Sequence, residues 1–431
     1  MTPIAFSLLF ACALVLSLAV RFWLASRQVR CVAAHRDRVP VEFADRVTLA
    51  AHQRAADYTI ARVRLGLVGV LLETVLLVGF TFFGGVQWMH EALSAAFGEG
   101  ALVGQVLLVA GVALAGAAVE LPITWYRQFR LEERFGFNRM TPRLWVADLV
   151  KGTLVSIALG VPLLAAVLWL MHQAGARWWV WTWLLWMGFN LFVLVLYPTV
   201  IAPLFNRFEP LAAGPIRDRV EALLHRSGFT VRGLYVMDGS RRSSHGNAYF
   251  TGLGRAKRIV FFDTLLSRLT GEEVEAVLAH ELGHFKHRHI LKRVLVSFVL
   301  SLGGLALLGH LATQPWFYQG LGVTPAGDAH GVALVLFFLV LPVFTFLLQP
   351  IASLASRRHE FEADAFAARQ ASASDLVSAL VKLYEDNAST LTPDPVHSAF
   401  YDSHPPAAQR IGRLRGLSAA SAVPAASVQT A

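Results

Sequence analysis

The sequence predicts a mainly helical membrane protein, with seven transmembrane helices and a cytoplasmic domain that contains a small β-sheet. Three observations carry that expectation. Of the 431 residues, 55% are hydrophobic and only 16% charged, with a mean hydropathy of +0.52. A soluble domain carries about a quarter charged residues, which excludes a water-soluble enzyme, a disordered chain and a nucleic-acid tail. Apolar runs of bilayer length occur seven times, and Lys and Arg fall almost wholly in alternate loops between them.

The apolar runs are 4–24, 65–86, 101–119, 154–171, 178–200, 294–311 and 332–348. No Lys or Arg precedes the first run and no small-residue cleavage site follows it, so it reads as a retained helix, not a signal peptide. Loops 25–64, 120–153, 201–293 and 349–431 hold 36 of the 37 loop Lys and Arg residues; loops 87–100, 172–177 and 312–331 hold the other one. The positive-inside rule puts the basic loops in the cytoplasm and the N-terminus outside, and an odd number of spans agrees. The net charge of +9 is then a bias of one membrane face, suited to anionic lipid, with no nucleic-acid motif behind it. Cys12 and Cys31 are too few for a disulfide framework or a Cys-rich metal site. Glu73, Asn190 and His310 lie inside spans, where each is expected to face protein or a wet cavity, or to make a plain helix-packing hydrogen bond.

Two stretches, 205–292 and 353–416, are long enough to fold outside the bilayer. The first opens with an amphipathic helical pattern over 216–227 that stops at Gly228. Three strand-like runs follow, 233–237, 247–252 and 259–263, separated by polar turns. Thr270 to Glu273 is a capping box, with Val274, Val277, Leu278 and Leu282 behind it at helical spacing. The second stretch is helical over about 353–386 and breaks at Pro393 and Pro395. The expected units are 1–204 with five spans, 205–416 with the last two spans and the chemistry, and an Ala/Ser-rich disordered tail over 417–431.

The helix after the capping box carries His280-Glu281-Leu282-Gly283-His284, an H-E-x-x-H pattern. Positions i and i+4 share one face about 6 Å apart, so both imidazoles can reach one ion, and Glu281 stands beside them to take a proton from an attacking water. Catalytic zinc wants a third protein ligand and one open position. Glu360 and Asp364, at i and i+4 just after the seventh span, can supply it from the same side of the membrane. Glu362 points about 200° away from Glu360 around that helix and is the less suitable ligand. The plainer alternatives are a surface helix with satisfied histidines and a solvated helix with Arg–Glu pairs. His287 and His289 read as bystanders or as support for a ligand. A cysteine nucleophile is disfavoured, because Cys12 sits in a span and Cys31 has no base.

These motifs do not stand alone. HQRAADYT (52–59), EERFGFN (132–138), IAPLFNRFEPL (201–211), HGNAYFTG (245–252), HELGH (280–284), SRRHEFEADAFA (356–367) and SHPP (403–406) follow one another over nearly the whole chain. In that order they resemble the integral-membrane zinc CAAX prenyl protease family, the type I class, and the sequence reads as a bacterial homologue. The resemblance implies a zincin-like metalloprotease domain. It makes His280, His284 and Glu360 the ligands of one zinc ion per chain, Glu281 the catalytic acid and base, and Asp364 the carboxylate that orients a ligand histidine. It places Asn247 and Ala248 on an edge strand that hydrogen-bonds an extended substrate, and His404 and Arg410 near the metal as oxyanion donors. Gly246 stands where the family usually has Ser. The family also surrounds a water-filled chamber with its seven helices.

The expected activity is hydrolysis of peptide bonds in membrane-associated or CAAX-like substrates, lipidated or not, in a bacterial inner membrane. The expected partners are that substrate and the bilayer, with no nucleic acid. Rival readings are an intramembrane-cleaving zinc enzyme, a heat-shock-type membrane metalloprotease, and a silent scaffold or transporter. The polar flank Lys286 to His289 speaks against the first, the seven spans against the second, and the intact His280, Glu281, His284 and Glu360 against the third.

Overall fold

Helical backbone hydrogen bonds outlast the hydropathy of every span. The computed structural model describes residues 1–251, 258–325 and 327–422. Seven helices among them are long and apolar enough to cross a membrane: Pro3–Ala34, Leu49–Phe80, Leu102–Glu132, Pro142–Gln173, Gly175–Phe205, His289–Leu311 and His330–Gln370. Each contains most or all of one expected span and runs beyond it through flanks rich in Ala, Arg and Gln, good helix formers outside a bilayer as well as in it. Thr2, Thr48 and Thr141 start three of them, each side chain accepting the backbone N–H three residues on.

The second span departs from expectation. It was expected to reach residue 86, but the helix ends at Phe80 and Gly84 turns the chain with φ 74°. A separate helix, Gly85–Phe97, follows. A Cβ on Gly85 would lie 2.8 Å from the Gly79 carbonyl oxygen, so the tight return requires glycine there.

The seventh rod is the hub of the membrane part. More than half of its most apolar window is buried, whereas the corresponding windows of Leu49–Phe80 and Gly175–Phe205 bury nothing. Phe10, Leu108, Leu168 and Leu308 close around it with almost no exposure. Glu73 and His310 are exposed, and the Asn190 amide donates to the Trp186 carbonyl of its own helix (2.7 Å).

Outside the spans, four strands form one sheet in the order β1-β2-β4-β3, with β1 Phe208–Pro210, β2 Gly233–Met237, β3 Ala248–Thr251 and β4 Arg258–Phe262. Strands β2 and β4 are parallel; both edge strands run antiparallel to their neighbours. Three of the four match the expected runs within a residue or two. Strand β1 was not foreseen; it is three residues long and ends in Pro210, which is tolerated only at an edge. Helices Pro215–Arg226, Gly271–Lys286, Ala373–Asp386 and Ala407–Ala422 surround a core of Leu223, Ile259, Phe261, Leu278, Leu380 and Ile411. The break near Pro393 is present, but Pro395 opens a new short helix, Pro395–Tyr401, capped by Asp394. The last helix continues to Ala422, into the stretch expected to be disordered. Gly252 of the expected strand and residues 423–431 of the expected tail lie outside the described residues.

Candidate metal centre

The capping box forms as the sequence predicts. The Thr270 N–H donates to Glu273 Oε2 (2.8 Å) and the Glu273 N–H to Thr270 Oγ1 (3.4 Å), which starts the helix Gly271–Lys286 ten residues before the first histidine. Val274, Leu278 and Leu282 are buried in the core, which fixes the rotation of the helix and presents His280 and His284 to the rod Gln349–Gln370. Gly283 lets the two helices touch. A Cβ there would stand 2.8 Å from Ala363 Cα and 3.0 Å from its carbonyl oxygen, so any other residue would push Glu360 away from the histidines.

Three side chains converge across this contact. His280 Nε2 lies 3.5 Å from Glu360 Oε2, His284 Nε2 lies 3.4 Å from Glu360 Oε1, and the two Nε2 atoms are 3.3 Å apart. These three side chains offer ligand atoms all within 4.8 Å of one another. Glu360 Oε2 is buried and has no hydrogen-bond partner, a costly state for a carboxylate oxygen unless a cation meets it. Two imidazoles and one carboxylate are also the donor set of a catalytic zinc site with one position left open. The residues fit the ion.

Each histidine is held from behind at Nδ1. His280 Nδ1 donates to Asp364 Oδ1 (2.8 Å), and Asp364 is gripped by Arg410 through Nε (2.9 Å) and Nη2 (2.6 Å). His284 Nδ1 lies 3.0 Å from Nδ1 of His289, whose Nε2 meets Glu362 Oε2 at 2.8 Å. With Nδ1 protonated, each ligand imidazole turns the lone pair of Nε2 toward the centre. His289 is fully buried and stacks on His359 with ring centroids 4.0 Å apart. His289 and Glu362 thus form a second chain behind the centre; the sequence allows His289 as support for a ligand but not its pairing with Glu362. Arg288, in the left-handed conformation at φ 56°, breaks the helix and folds His289 back beneath His284.

Burial shapes the ionisation of the centre. It disfavours charge on His280, but the hydrogen bond it donates to Asp364 and the Glu360 carboxylate beside it hold its pKa above the ordinary value. His284 moves the opposite way, pushed down by burial and by the charge of His280. Burial pushes Glu281 up, against the positive charges of His280 and Arg410 and with the negative charge of Glu360. A carboxyl raised toward neutrality is the better proton acceptor and donor near pH 7.

The remaining expected site residues divide into two groups. His404 Nε2 lies 3.5 Å from Glu360 Oε1, with an exposed ring that leaves it open to a substrate. Arg410 is buried, and two of its nitrogens are committed to Asp364; Nη1 stands 3.9 Å from Glu360 Oε2. Asn247 and Ala248 lie at the edge strand β3. The Asn247 carbonyl accepts from the Phe262 N–H (3.0 Å), and Asn247 Oδ1 takes the Ala248 N–H (2.8 Å). Phe250 packs on Phe285 of the metal helix, with centroids 4.8 Å apart, which ties the strand to the centre. A cavity of about 760 Å³ begins at His404, Arg410 and Tyr384 and extends along the first two membrane helices past Arg21, Gln28 and Arg62.

Three of the sequence motifs meet where the strand joins the membrane helices. The Tyr58 hydroxyl donates to Glu132 Oε1 (2.6 Å), Glu132 Oε2 lies 3.8 Å from His245 Nε2, and Phe137 stacks on the His245 ring at 4.7 Å. Glu132 closes a π-helical turn, Arg127–Glu132, of the kind that re-aims side chains inside long helices.

Residues 28–207 match the model of the CAAX prenyl protease N-terminal region with five membrane helices, and residues 210–418 match peptidase family M48. A CAAX prenyl protease 1 homologue of Arabidopsis thaliana is 35% identical over 359 residues, covering 81% of this chain and 82% of that one. The CAAX prenyl protease 1 of Saccharomyces cerevisiae is 36% identical over 312 residues, covering 69% and 68%. The chain belongs to the M48 CAAX prenyl protease family. The crystal structure of S. mikatae Ste24p superposes with a TM-score of 0.87 at 28% identity, covering 95% of this chain and 99% of that one. As an M48 member the protein is a membrane-embedded metallopeptidase, in a family that depends on zinc in general. The seven helices and the small mixed sheet expected from the sequence are therefore those of the Ste24p fold.

Proposed function

We propose that this M48 protease holds one zinc ion between His280, His284 and Glu360 and cleaves membrane-associated peptides, including lipidated carboxy-terminal peptides of the CAAX type. The observation that carries the reading is the buried Glu360 carboxylate, whose unpartnered Oε2 faces His280 Nε2 while Oε1 faces His284 Nε2. When bound, zinc polarises the scissile carbonyl and acidifies the attacking water.

The chain does the rest. Asp364, anchored by Arg410, keeps a proton on His280 Nδ1, and His289 with Glu362 does the same for His284. The Glu281 carboxylate takes a proton from the water and returns it to the leaving amine. Strand β3 orients the substrate backbone: a substrate carbonyl displaces Asn247 Oδ1 from the Ala248 N–H. His404 Nε2–H donates to the oxyanion as it forms. The cavity beside His404 gives an apolar substrate tail a route along the first two membrane helices. The division into a five-span unit, 1–204, and a catalytic unit, 205–416, belongs to the same proposal.

The basic loops support a centre on the cytoplasmic face with the N-terminus opposite. Single cysteines introduced at Gly98 and Ser374 should be labelled from opposite sides of the membrane; labelling of both from one side would refute this orientation. For the substrate, a farnesylated CAAX peptide and its unmodified twin should be offered to the purified protein in detergent. Cleavage of the lipidated peptide at a higher kcat/KM is the expected result. Equal rates would leave a peptidase without lipid selectivity, and no cleavage of either would overturn the assignment of substrate class.

A further inference from the structure

A second cluster of metal-ligand chemistry lies at the other end of the seventh rod. His172, at the end of the helix Pro142–Gln173, points Nδ1 at Asp328 Oδ2 (2.7 Å), and His330, at the start of the rod, places Nε2 at 2.9 Å from Asp328 Oδ1. The three side chains offer ligand atoms within 4.8 Å of one another, as the catalytic triplet does, and among the described residues these two groups alone do so. Glu360 follows His330 by thirty residues, about 45 Å of helix, which exceeds the roughly 30 Å hydrocarbon core. The second cluster therefore sits at the opposite membrane face.

The cluster is positioned by the fold. Gln105, buried in the helix Leu102–Tyr126, accepts the Gly331 N–H at 2.7 Å and donates to the Gly100 carbonyl at 3.0 Å. That clasp fixes the start of the rod against the turn at Gly100, where a Cβ would lie 3.2 Å from Asp328 Cβ. A further carboxylate is close: Glu99 Oε2 would stand 3.5 Å from a Cβ at Gly327. The loops of this face carry Glu91, Glu99 and Asp328 against the single Arg177, so its field draws cations in.

We propose that His172, Asp328 and His330 bind a divalent transition-metal ion of the zinc type and clasp the ends of two membrane helices. Two imidazoles and one carboxylate suit zinc, cobalt or nickel and are a poor set for calcium or magnesium, which prefer oxygen ligands. The ion takes the place of the two imidazole protons that now point at Asp328. His172 comes from a different helix from the other two, so binding joins elements that the backbone leaves separate.

The test uses tag-free full-length protein in detergent, stripped with a chelator, reloaded with zinc chloride and dialysed before metal analysis. Wild type should retain about two zinc ions per chain, and His172→Ala or Asp328→Asn about one, with peptide hydrolysis unchanged. In a His284→Ala background, added zinc should still raise the thermal midpoint, and His172→Ala in that background should abolish the rise. One zinc in wild type together with none in His284→Ala would overturn the second site while leaving the catalytic reading intact. Two zinc ions retained in His172→Ala would overturn it as well.

Discussion

Replacing Glu281 by Gln is expected to abolish hydrolysis while zinc stays in place. Glutamine is nearly isosteric with glutamate, so the helix Gly271–Lys286 and its contact through Gly283 should survive. His280, His284 and Glu360 would still converge, because their geometry depends on Asp364, Arg410, His289 and Glu362 and not on Glu281. The amide cannot accept a proton from the attacking water. General acid–base catalysis is worth about 10²–10⁴-fold, and a centre without its base loses at least that much in kcat. Peptide affinity should change little, since the proposed backbone contacts lie on strand β3. Zinc content, peptide affinity and turnover measured on one preparation separate the possibilities. Loss of zinc would make Glu281 a structural residue, and near-normal turnover would remove it from the mechanism.

Replacing Glu360 by Ala should remove the metal itself. Glu360 is the one donor that the rod Gln349–Gln370 contributes, and its carboxylate faces both Nε2 atoms. Removing a group behind a ligand typically costs about 10–100-fold in metal affinity, so loss of a direct ligand should cost more. Asp364 cannot replace it while both of its oxygens are held by Arg410 and one also by His280. Glu362 cannot either, because it is engaged with His289. Full zinc and activity in Glu360→Ala would contradict the ligand assignment.

What was legible in the sequence follows from how local each signal is. The spans could be read because hydropathy is summed over many residues. Their full lengths could not, since helical hydrogen bonds continue where apolar side chains stop, as in the run from residue 25 to Ala34. The capping box and the i, i+4 histidines could be read because both are local in the helix Gly271–Lys286. The place of His289 could not. On a continuous helix it would point about 140° away from His284, and only the left-handed Arg288 returns it beneath that ring. Its partner Glu362 lies 73 residues further along the chain. Likewise, Tyr58, Glu132 and His245 each belonged to a recognisable motif, but their meeting is a tertiary event across 74 and 113 residues.

The central claim is that peptide-bond hydrolysis by this protein runs on zinc held at His280, His284 and Glu360. The most direct measurement follows cleavage of a farnesylated CAAX peptide by mass spectrometry while zinc is removed from the purified protein and then returned. Cleavage should stop on chelation and recover when zinc is restored to wild type, but not to Glu360→Ala. Cleavage that persists in zinc-free protein, or that returns equally in Glu360→Ala, would contradict the account.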